Sequence, residues 1–538
     1  MSNSAQTIEE IKSLSQSEIR IDPHRRMGAI DRKIYSGFLE HLGRCIYGGI
    51  VDYDNPDNDL ITKEGYRKDV AKALKALDIP VIRWPGGNFV SSYHWQDGIG
   101  PKESRPRRPE LAWLNEELNL FGTDEFLHWC GWMKIEPYLC LNMGTGTLDE
   151  ALAWIEYCNS NLNTYWANLR RINGRDEPYN VKYWSLGNEV WGPWQVGQMN
   201  EEDYCKKAIQ WAKAIKLLDP SVILVSCGCT GFSKWDYEIT QKLFRYVDFH
   251  SIHLYTSDSK DQMKNITGPA AAEAGIQITA KLLDLAKITN YSSSISNSVA
   301  ATEDLKFKQH RVKICFDEWN VWDPVRAGGE VGCEEKYTLG DALAVSSWLN
   351  TFIRQAEYIG MANIAQCVNV IAPIMTKQDK LFLQTTYHPL RLFSQKMRGE
   401  SLNLHVKTPL YKGDTRGGNM NIEWLKDIDS NICMLDCSAA IYDKNIIVAV
   451  VNRSLTEDTT TKISLSVDPK NVNPNVNRCV IYNEDINAIN TFDEPENVTV
   501  SESIIFLNFI PLNGESNATI LFKKHSFTLL EIQLLDEI

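Results

Sequence analysis

Short runs of apolar, β-branched and aromatic residues recur between about residues 34 and 370, separated by longer segments whose apolar positions follow a helical spacing. Eight runs read as strands: Ile34–Leu39, Val81–Trp84, Tyr138–Asn142, Val181–Leu186, Val222–Cys227, Phe249–Leu254, Val312–Phe316 and Ala362–Val368. Glu64–Leu77, Glu202–Leu217 and Thr338–Tyr358 carry the helical period, and Glu202–Leu217 stops at Asp219-Pro220. Strands alternating with helices predict βα units around a parallel sheet. Eight of them predict a closed (β/α)8 TIM barrel. An open doubly wound sheet is the competitor, but no glycine-rich phosphate loop follows the first strand.

Two stretches depart from this rhythm. Ser292–Asp304 is serine-rich and reads as a mobile insertion between the sixth and seventh units. Beyond about residue 400 short strand-like runs are broken by Asn, Asp, Pro and Gly: Ile432–Ala440, Ile446–Val451, Lys462–Val467, Arg478–Tyr482, Ser503–Phe509, Ala518–Phe522 and Phe527–Leu534. These predict a C-terminal antiparallel β-sandwich, jelly-roll-like in class. The expected division is an N-terminal segment over residues 1–30, a catalytic barrel over 31–400 and the sandwich over 401–538. Ser17–Ile21 is a candidate extra strand for the sandwich.

The 538 residues suffice for a barrel and a companion domain. With 43% hydrophobic and 23% charged residues, the composition is that of a globular protein. A net charge of −13 argues against nucleic acid as a partner, and the one compact basic run, Arg105-Pro106-Arg107-Arg108, is too short to bind a polyanion. No apolar run is long enough for a bilayer, and the N-terminus lacks the apolar core of a secretory signal. Thirteen cysteines without regular spacing read as reduced thiols. The expected compartment is therefore the cytoplasm, although five Asn-x-Ser/Thr triplets, at Asn265, Asn290, Asn452, Asn497 and Asn517, point the other way. Sixteen Trp and 21 Tyr are compatible with stacking on sugar rings, as well as with a large core.

In such a barrel the chemistry sits at the C-terminal ends of the strands. Those ends read Glu40-His41, Arg83-Trp84-Pro85-Gly86-Gly87-Asn88, Gly187-Asn188-Glu189, His253-Leu254-Tyr255, Asp317-Glu318-Trp319-Asn320 and the region of Gln366. Glu189 and Glu318 follow apolar strands, where a carboxylate is costly unless used or paired. Two such groups, one protonated and one ionised, are what a retaining glycosidase needs. Asn188 is placed to bond a sugar 2-hydroxyl, and Tyr255 to hold Glu318. Arg83 has two readings, support for Glu318 or a purely structural ion pair. Gly86-Gly87 either admits the ligand close to the backbone, with Asn88 beside it, or simply makes a turn. His250 and His253 fall on opposite faces of a strand and predict no shared metal. Cys227-Gly-Cys229 has no metal-ligand spacing, and no Gly-x-Ser-x-Gly elbow occurs.

Five segments together resemble one family. Gly37-Phe-Leu-Glu-His-Leu-Gly-Arg44, Arg83-Trp-Pro-Gly-Gly-Asn-Phe-Val90, Leu186-Gly-Asn-Glu189 with Gly192-Pro-Trp-Gln195, Phe316-Asp-Glu-Trp-Asn-Val-Trp322 and Ala365-Gln-Cys-Val-Asn-Val-Ile-Ala-Pro373 are similar to the α-L-arabinofuranosidases of glycoside hydrolase family 51, in the family's order. The resemblance implies a clan A barrel with Glu189 as acid/base and Glu318 as nucleophile. It implies that Glu40, Asn88, Asn188, Tyr255 and Gln366 bond the arabinofuranose, that Trp113 and Trp322 lie beside it, and that Arg83 supports the nucleophile. It further implies exo-acting release of arabinofuranosyl residues from oligosaccharides or polysaccharide fragments, no cofactor or metal, and a homo-oligomer, in many members a hexamer. An endo-β-glucanase or β-xylosidase on the same barrel is the alternative enzyme; a non-enzymatic carbohydrate-binding protein would have lost one of the two Glu residues. Val190-Trp191 and the Ser292–Asp304 insertion depart from the family pattern.

Overall fold

The computed structural model describes residues 17–256, 260–295, 310–328, 332–411, 432–512 and 514–536. Eight parallel strands close into a barrel: β1 (Ser36–Phe38), β2 (Val81–Trp84), β3 (Glu136–Cys140), β4 (Tyr183–Leu186), β5 (Ile223–Ser226), β6 (Phe249–Thr256), β7 (Lys313–Val321) and β8 (Ile359–Ile364). Each pairs with its sequence neighbour, and β8 returns to β1 through Asn363↔Ser36 and Ile364↔Gly37. Their residues are almost all buried, as expected of parallel strands wrapped by helices. Helices such as Glu201–Leu218 and Leu339–Arg354 supply the outer layer, each started by a side chain that accepts an N-terminal N–H: Asn200 from Asp203, Thr338 from Asp341.

The expected strands recur with shifted limits. β1 is shorter than Ile34–Leu39 because Arg32–Tyr35 forms a 3-10 turn capped by Asp31. β7 runs on from Phe316 to Val321, through polar residues that break its apolar pattern. β8 ends at Ile364, earlier than Val368; Cys367, Val368 and Val370 are fully buried in irregular backbone, so their burial mimics a strand. The helix expected from Glu64 begins at Lys68, after a turn in which Gly65 takes φ +85°. Of Ser292–Asp304, the first residues end the helix Pro269–Ile295, and the remainder lies outside the described residues.

The C-terminal strands form one ten-stranded sheet, which also takes in Ser17–Ala29. That strand is antiparallel to Glu400–Lys407 but parallel to Thr459–Leu465, so the sheet is mixed rather than wholly antiparallel. Residues from nearly every strand, including Ile19, Leu402, Val448, Ile463, Val476, Ala518 and Leu530, meet in a single apolar cluster, so the sheet closes over itself as a sandwich. The strand Asn445–Asn452 shows how the two domains join. Ile446, Val448 and Val450 enter the sandwich core, whereas Ile447, Ala449 and Val451 belong to the cluster that fills the barrel layers. The helix Leu339–Arg354 fits into this joint and is buried along nearly its whole length. Polar groups there are matched: Asn350 Nδ2 and Arg354 Nη1 each donate to Asp436 at 2.9 Å.

Candidate active site

β2 and β7 build the floor of the site. Side chains on a regular strand alternate between faces, so neighbours Asp317 and Glu318 should diverge. β7 carries a β-bulge at this point: Cys315 pairs with Ser251 but Glu318 with His253, three residues against two. The extra residue turns both carboxylates into the barrel. Arg83, from β2, meets them there. Its Nη1 donates to Glu318 Oε1 at 2.6 Å, its Nη2 to Asn188 Oδ1 at 2.5 Å, and its Nε lies 3.6 Å from Asp317 Oδ2. Arg83 thus makes its buried ion pair with Asp317 and its contact with Glu318 together. Burial would lower the Arg83 pKa, but Asp317 and Glu318 raise it well above its ordinary value. Burial would raise Asp317, yet Arg83 and His253 hold it below the usual carboxylate range.

The second oxygen of Glu318 accepts from Tyr255 Oη at 2.9 Å. Asn188 Oδ1 is taken by Arg83, which fixes the direction of its amide, and its Nδ2 is buried with no protein partner among the described residues. A buried donor left open costs roughly 1–3 kcal/mol. Glu189, at the end of β4, takes the left-handed conformation (φ +44°) that L-residues adopt only under constraint. The turn is closed by Gly192 N–H donating to the Glu189 carbonyl at 2.7 Å.

His253 lies between the carboxylates. Its Nδ1 is 2.9 Å from Glu189 Oε1 and 3.5 Å from Glu318 Oε2, and its Nε2 is 3.1 Å from Asp317 Oδ1. Burial would lower the imidazole pKa, but Glu318 and Asp317 outweigh it and raise it to about 10. His253 is thus an imidazolium at neutral pH. Glu189, His253 and Glu318 offer donor atoms within 4.8 Å of one another, close enough to be metal ligands in principle. The raised pKa gives the ring a positive charge to set against the carboxylates around it. His250, by contrast, points out of the barrel to Asp236 and Ser226.

A second group forms the rim. Glu40 accepts from Phe89 N–H at 3.0 Å, from Trp113 Nε1 at 3.1 Å and from Gln366 Nε2 at 3.1 Å. Burial pushes its pKa up to about 8, so it is neutral at pH 7. A Cβ on Gly87 would stand 3.0 Å from Glu318 Oε1 and 3.4 Å from Glu40 Oε2; glycine keeps that space open between the two groups. Asn88 opens the 3-10 turn Asn88–Ser92, half-buried beside them. Trp322 packs edge-on against Tyr255 at 5.6 Å between ring centres.

The expected residues Glu40, Arg83, Trp113, Asn188, Glu189, Tyr255, Glu318, Trp322 and Gln366 thus converge on one mouth, and Asn88 adjoins it in the chain after Gly87. Sequence reasoning missed three others. His253 was legible in the spacing His253-x-Tyr255, which puts both on one face of β6. Asp317 was hidden by the bulge. Trp194 is exposed, and its Nε1 donates to Glu189 Oε2 at 3.2 Å while Trp191 meets its ring edge-on. The order Glu-Val-Trp-Gly-Pro-Trp gave no direct sign of that contact.

Fold and site together define a glycoside hydrolase barrel with paired carboxylates on its fourth and seventh strands. The sequence model of the alpha-L-arabinofuranosidase 1 domain matches residues 73–267, and that of the alpha-L-arabinofuranosidase C-terminal domain matches residues 317–526. A probable alpha-L-arabinofuranosidase C of Aspergillus niger is 49% identical over 98% of this chain and 99% of its own. The intracellular exo-alpha-(1->5)-L-arabinofuranosidase 1 of Bacillus subtilis is 37% identical over 74% of this chain and 79% of its own. The crystal structure of the Thermotoga maritima α-L-arabinofuranosidase in complex with arabinose superposes with a TM-score of 0.83 at 34% identity, covering 96% of this chain and all of that one. The chain belongs to the α-L-arabinofuranosidases of glycoside hydrolase family 51.

Proposed function

We propose that the protein is an exo-acting α-L-arabinofuranosidase that removes terminal non-reducing arabinofuranosyl residues by double displacement. The observation that carries this is the carboxylate pair. Oxygens of Glu189 and Glu318 lie within 4.8 Å. That spacing suits direct attack, as in a retaining enzyme, whose carboxyl groups stand roughly 5–5.5 Å apart.

The charges around the pair support the division of labour. Arg83 and the His253 imidazolium balance Asp317 and Glu318, while Glu40 is neutral. Glu318, aimed by Arg83 and Tyr255, attacks the anomeric carbon. Glu189 donates its proton to the departing glycosidic oxygen. The same carboxylate, now ionised, takes a proton from water, which cleaves the glycosyl–Glu318 ester. The open Nδ2 of Asn188 meets the sugar 2-hydroxyl, a contact that strengthens as the ring becomes oxocarbenium-like. Glu40, Asn88 and Gln366 hold the remaining hydroxyls, and Trp113 and Trp322 wall the ring. None of these steps calls for a cofactor.

Short arabino-oligosaccharides in the cytoplasm are the proposed substrates, and a homo-oligomer the proposed assembly. No described helix is long and apolar enough to cross a membrane. The endo-glucanase and xylosidase alternatives are not favoured, because the relatives matched over nearly the full length are named alpha-L-arabinofuranosidases.

Hydrolysis of 4-nitrophenyl α-L-arabinofuranoside by the wild type, Glu189→Ala and Glu318→Ala, each with and without azide, tests the assignment. We expect activity in the wild type and losses of roughly 10³-fold or more in both variants. Azide should restore Glu189→Ala turnover, giving an arabinosyl azide of retained configuration. Full activity in either variant would overturn the mechanism.

A further inference from the structure

The hairpin that carries Trp113 has two residues per strand, Arg108–Pro109 against Glu116–Glu117. Such a ribbon cannot fix the shape of its own tip. Its contact with the packed core is made by Trp113 itself. Beneath the hairpin lies a cavity of about 460 Å³ lined by Phe89, Ser92, Tyr93, Glu110, Glu117 and Asn119. Leu111 and Leu114, on either side of Trp113, are 52% and 86% exposed and so anchor nothing.

The backbone of the tip is held by one carboxylate, while the Trp113 ring packs on the core. Glu110 is only 4% exposed. Its Oε1 accepts from the Ala112 N–H and its Oε2 from the Trp113 N–H, both at 2.6 Å, and its own N–H donates to the Asn115 carbonyl at 2.9 Å. The tip is therefore wound around the Glu110 side chain, and this leaves the Trp113 indole N–H on Glu40 Oε1.

We infer that Glu110 is a positioning residue for the arabinofuranose pocket: by holding the backbone of Ala112 and Trp113, it sets where the indole of Trp113 stands against Glu40 and the sugar. This rests on the reading of Trp113 as a wall of that pocket. A general structural role is separable, because the base of the hairpin has its own ties. Arg108 pairs with Asp97 at 2.8 Å, Arg105 with Glu125 at 2.9 Å, and Asn119 Nδ2 donates to the Pro106 carbonyl at 2.7 Å. Loss of Glu110 frees the tip alone.

The experiment compares kcat and KM on 4-nitrophenyl α-L-arabinofuranoside for wild type, Glu110→Ala, Glu110→Gln, Trp113→Ala and Glu110→Ala/Trp113→Ala. Amide exchange over residues 110–115 is followed in parallel. Glu110→Ala should raise KM about 10-fold, with kcat within about threefold. It should speed exchange at the tip and add no further loss in the Trp113→Ala background. Glu110→Gln should fall between, since its amide oxygen replaces one carboxylate oxygen as acceptor while the NH2 in place of the other cannot accept. A wild-type KM in Glu110→Ala alongside an impaired Trp113→Ala overturns the role of Glu110 and leaves the pocket intact. A wild-type KM in Trp113→Ala overturns the pocket reading, and the role of Glu110 with it. Additive losses in the double variant overturn the claim that Glu110 acts through Trp113.

Discussion

The mouth of the barrel and the core of the sandwich are both buried, yet they are assembled from opposite materials. The sandwich core is aliphatic, with Ile19, Ile463, Val448 and Leu530 all fully shielded. The mouth buries Arg83, Asp317, Glu318 and His253 within a few ångströms of one another and holds Glu189 in a left-handed backbone. Dispersed apolar contacts survive small changes piecemeal, whereas interlocked charges depend on each partner. The sandwich should therefore respond to mutation in stability alone, and the mouth in activity and stability together.

The largest effect is expected at Arg83→Met. It removes the group that aims Glu318 and leaves two buried carboxylates without their guanidinium. We expect kcat/KM to fall about 10³-fold and stability to drop by about 3–5 kcal/mol, measured by steady-state kinetics and urea denaturation. Retained activity would break the contrast. Next comes Ile463→Ala in the sandwich, which should cost about 2–5 kcal/mol of stability. Its kinetic constants should match the wild type; a shifted KM would mean that the sandwich core reaches the site.

A pH slope sharpens the contrast further. The folded His253 pKa, about 10, lies above its reference value of 6.5. Its stabilising contribution is therefore complete below pH 6.5 and is lost as the pH rises through about 10. The gap in denaturation midpoint between wild type and His253→Gln should narrow from pH 6 to pH 10. An equal gap at both ends would show that the imidazolium charge contributes nothing.

The same contrast explains what could be read from the chain. Strands such as Ile223–Ser226 were legible because a strand buried on both faces is a nearly unbroken apolar run. Where the mouth intrudes, the pattern fails: β7 outruns its apolar stretch because Asp317, Glu318 and Asn320 occupy it. β8 misleads in reverse, since the loop after it is as buried as a strand. Glu189 and Glu318 stood out as carboxylates following apolar runs. His253 was set aside because its spacing from His250 was weighed, and not its spacing from Tyr255. Trp194 and Glu110 act through hydrogen bonds within loops, and no periodicity in the sequence encodes those.

The strand Asn445–Asn452 sends alternate side chains into two different cores, and this bears on how such a protein can change over time. A catalytic barrel with a plug-in companion could be shuffled among genes as a module. Here the companion supplies part of the barrel's own wall, so recombination at the junction would leave each half with a raw apolar seam. Inheritance should keep the two halves together, with novelty entering through insertions in the loops.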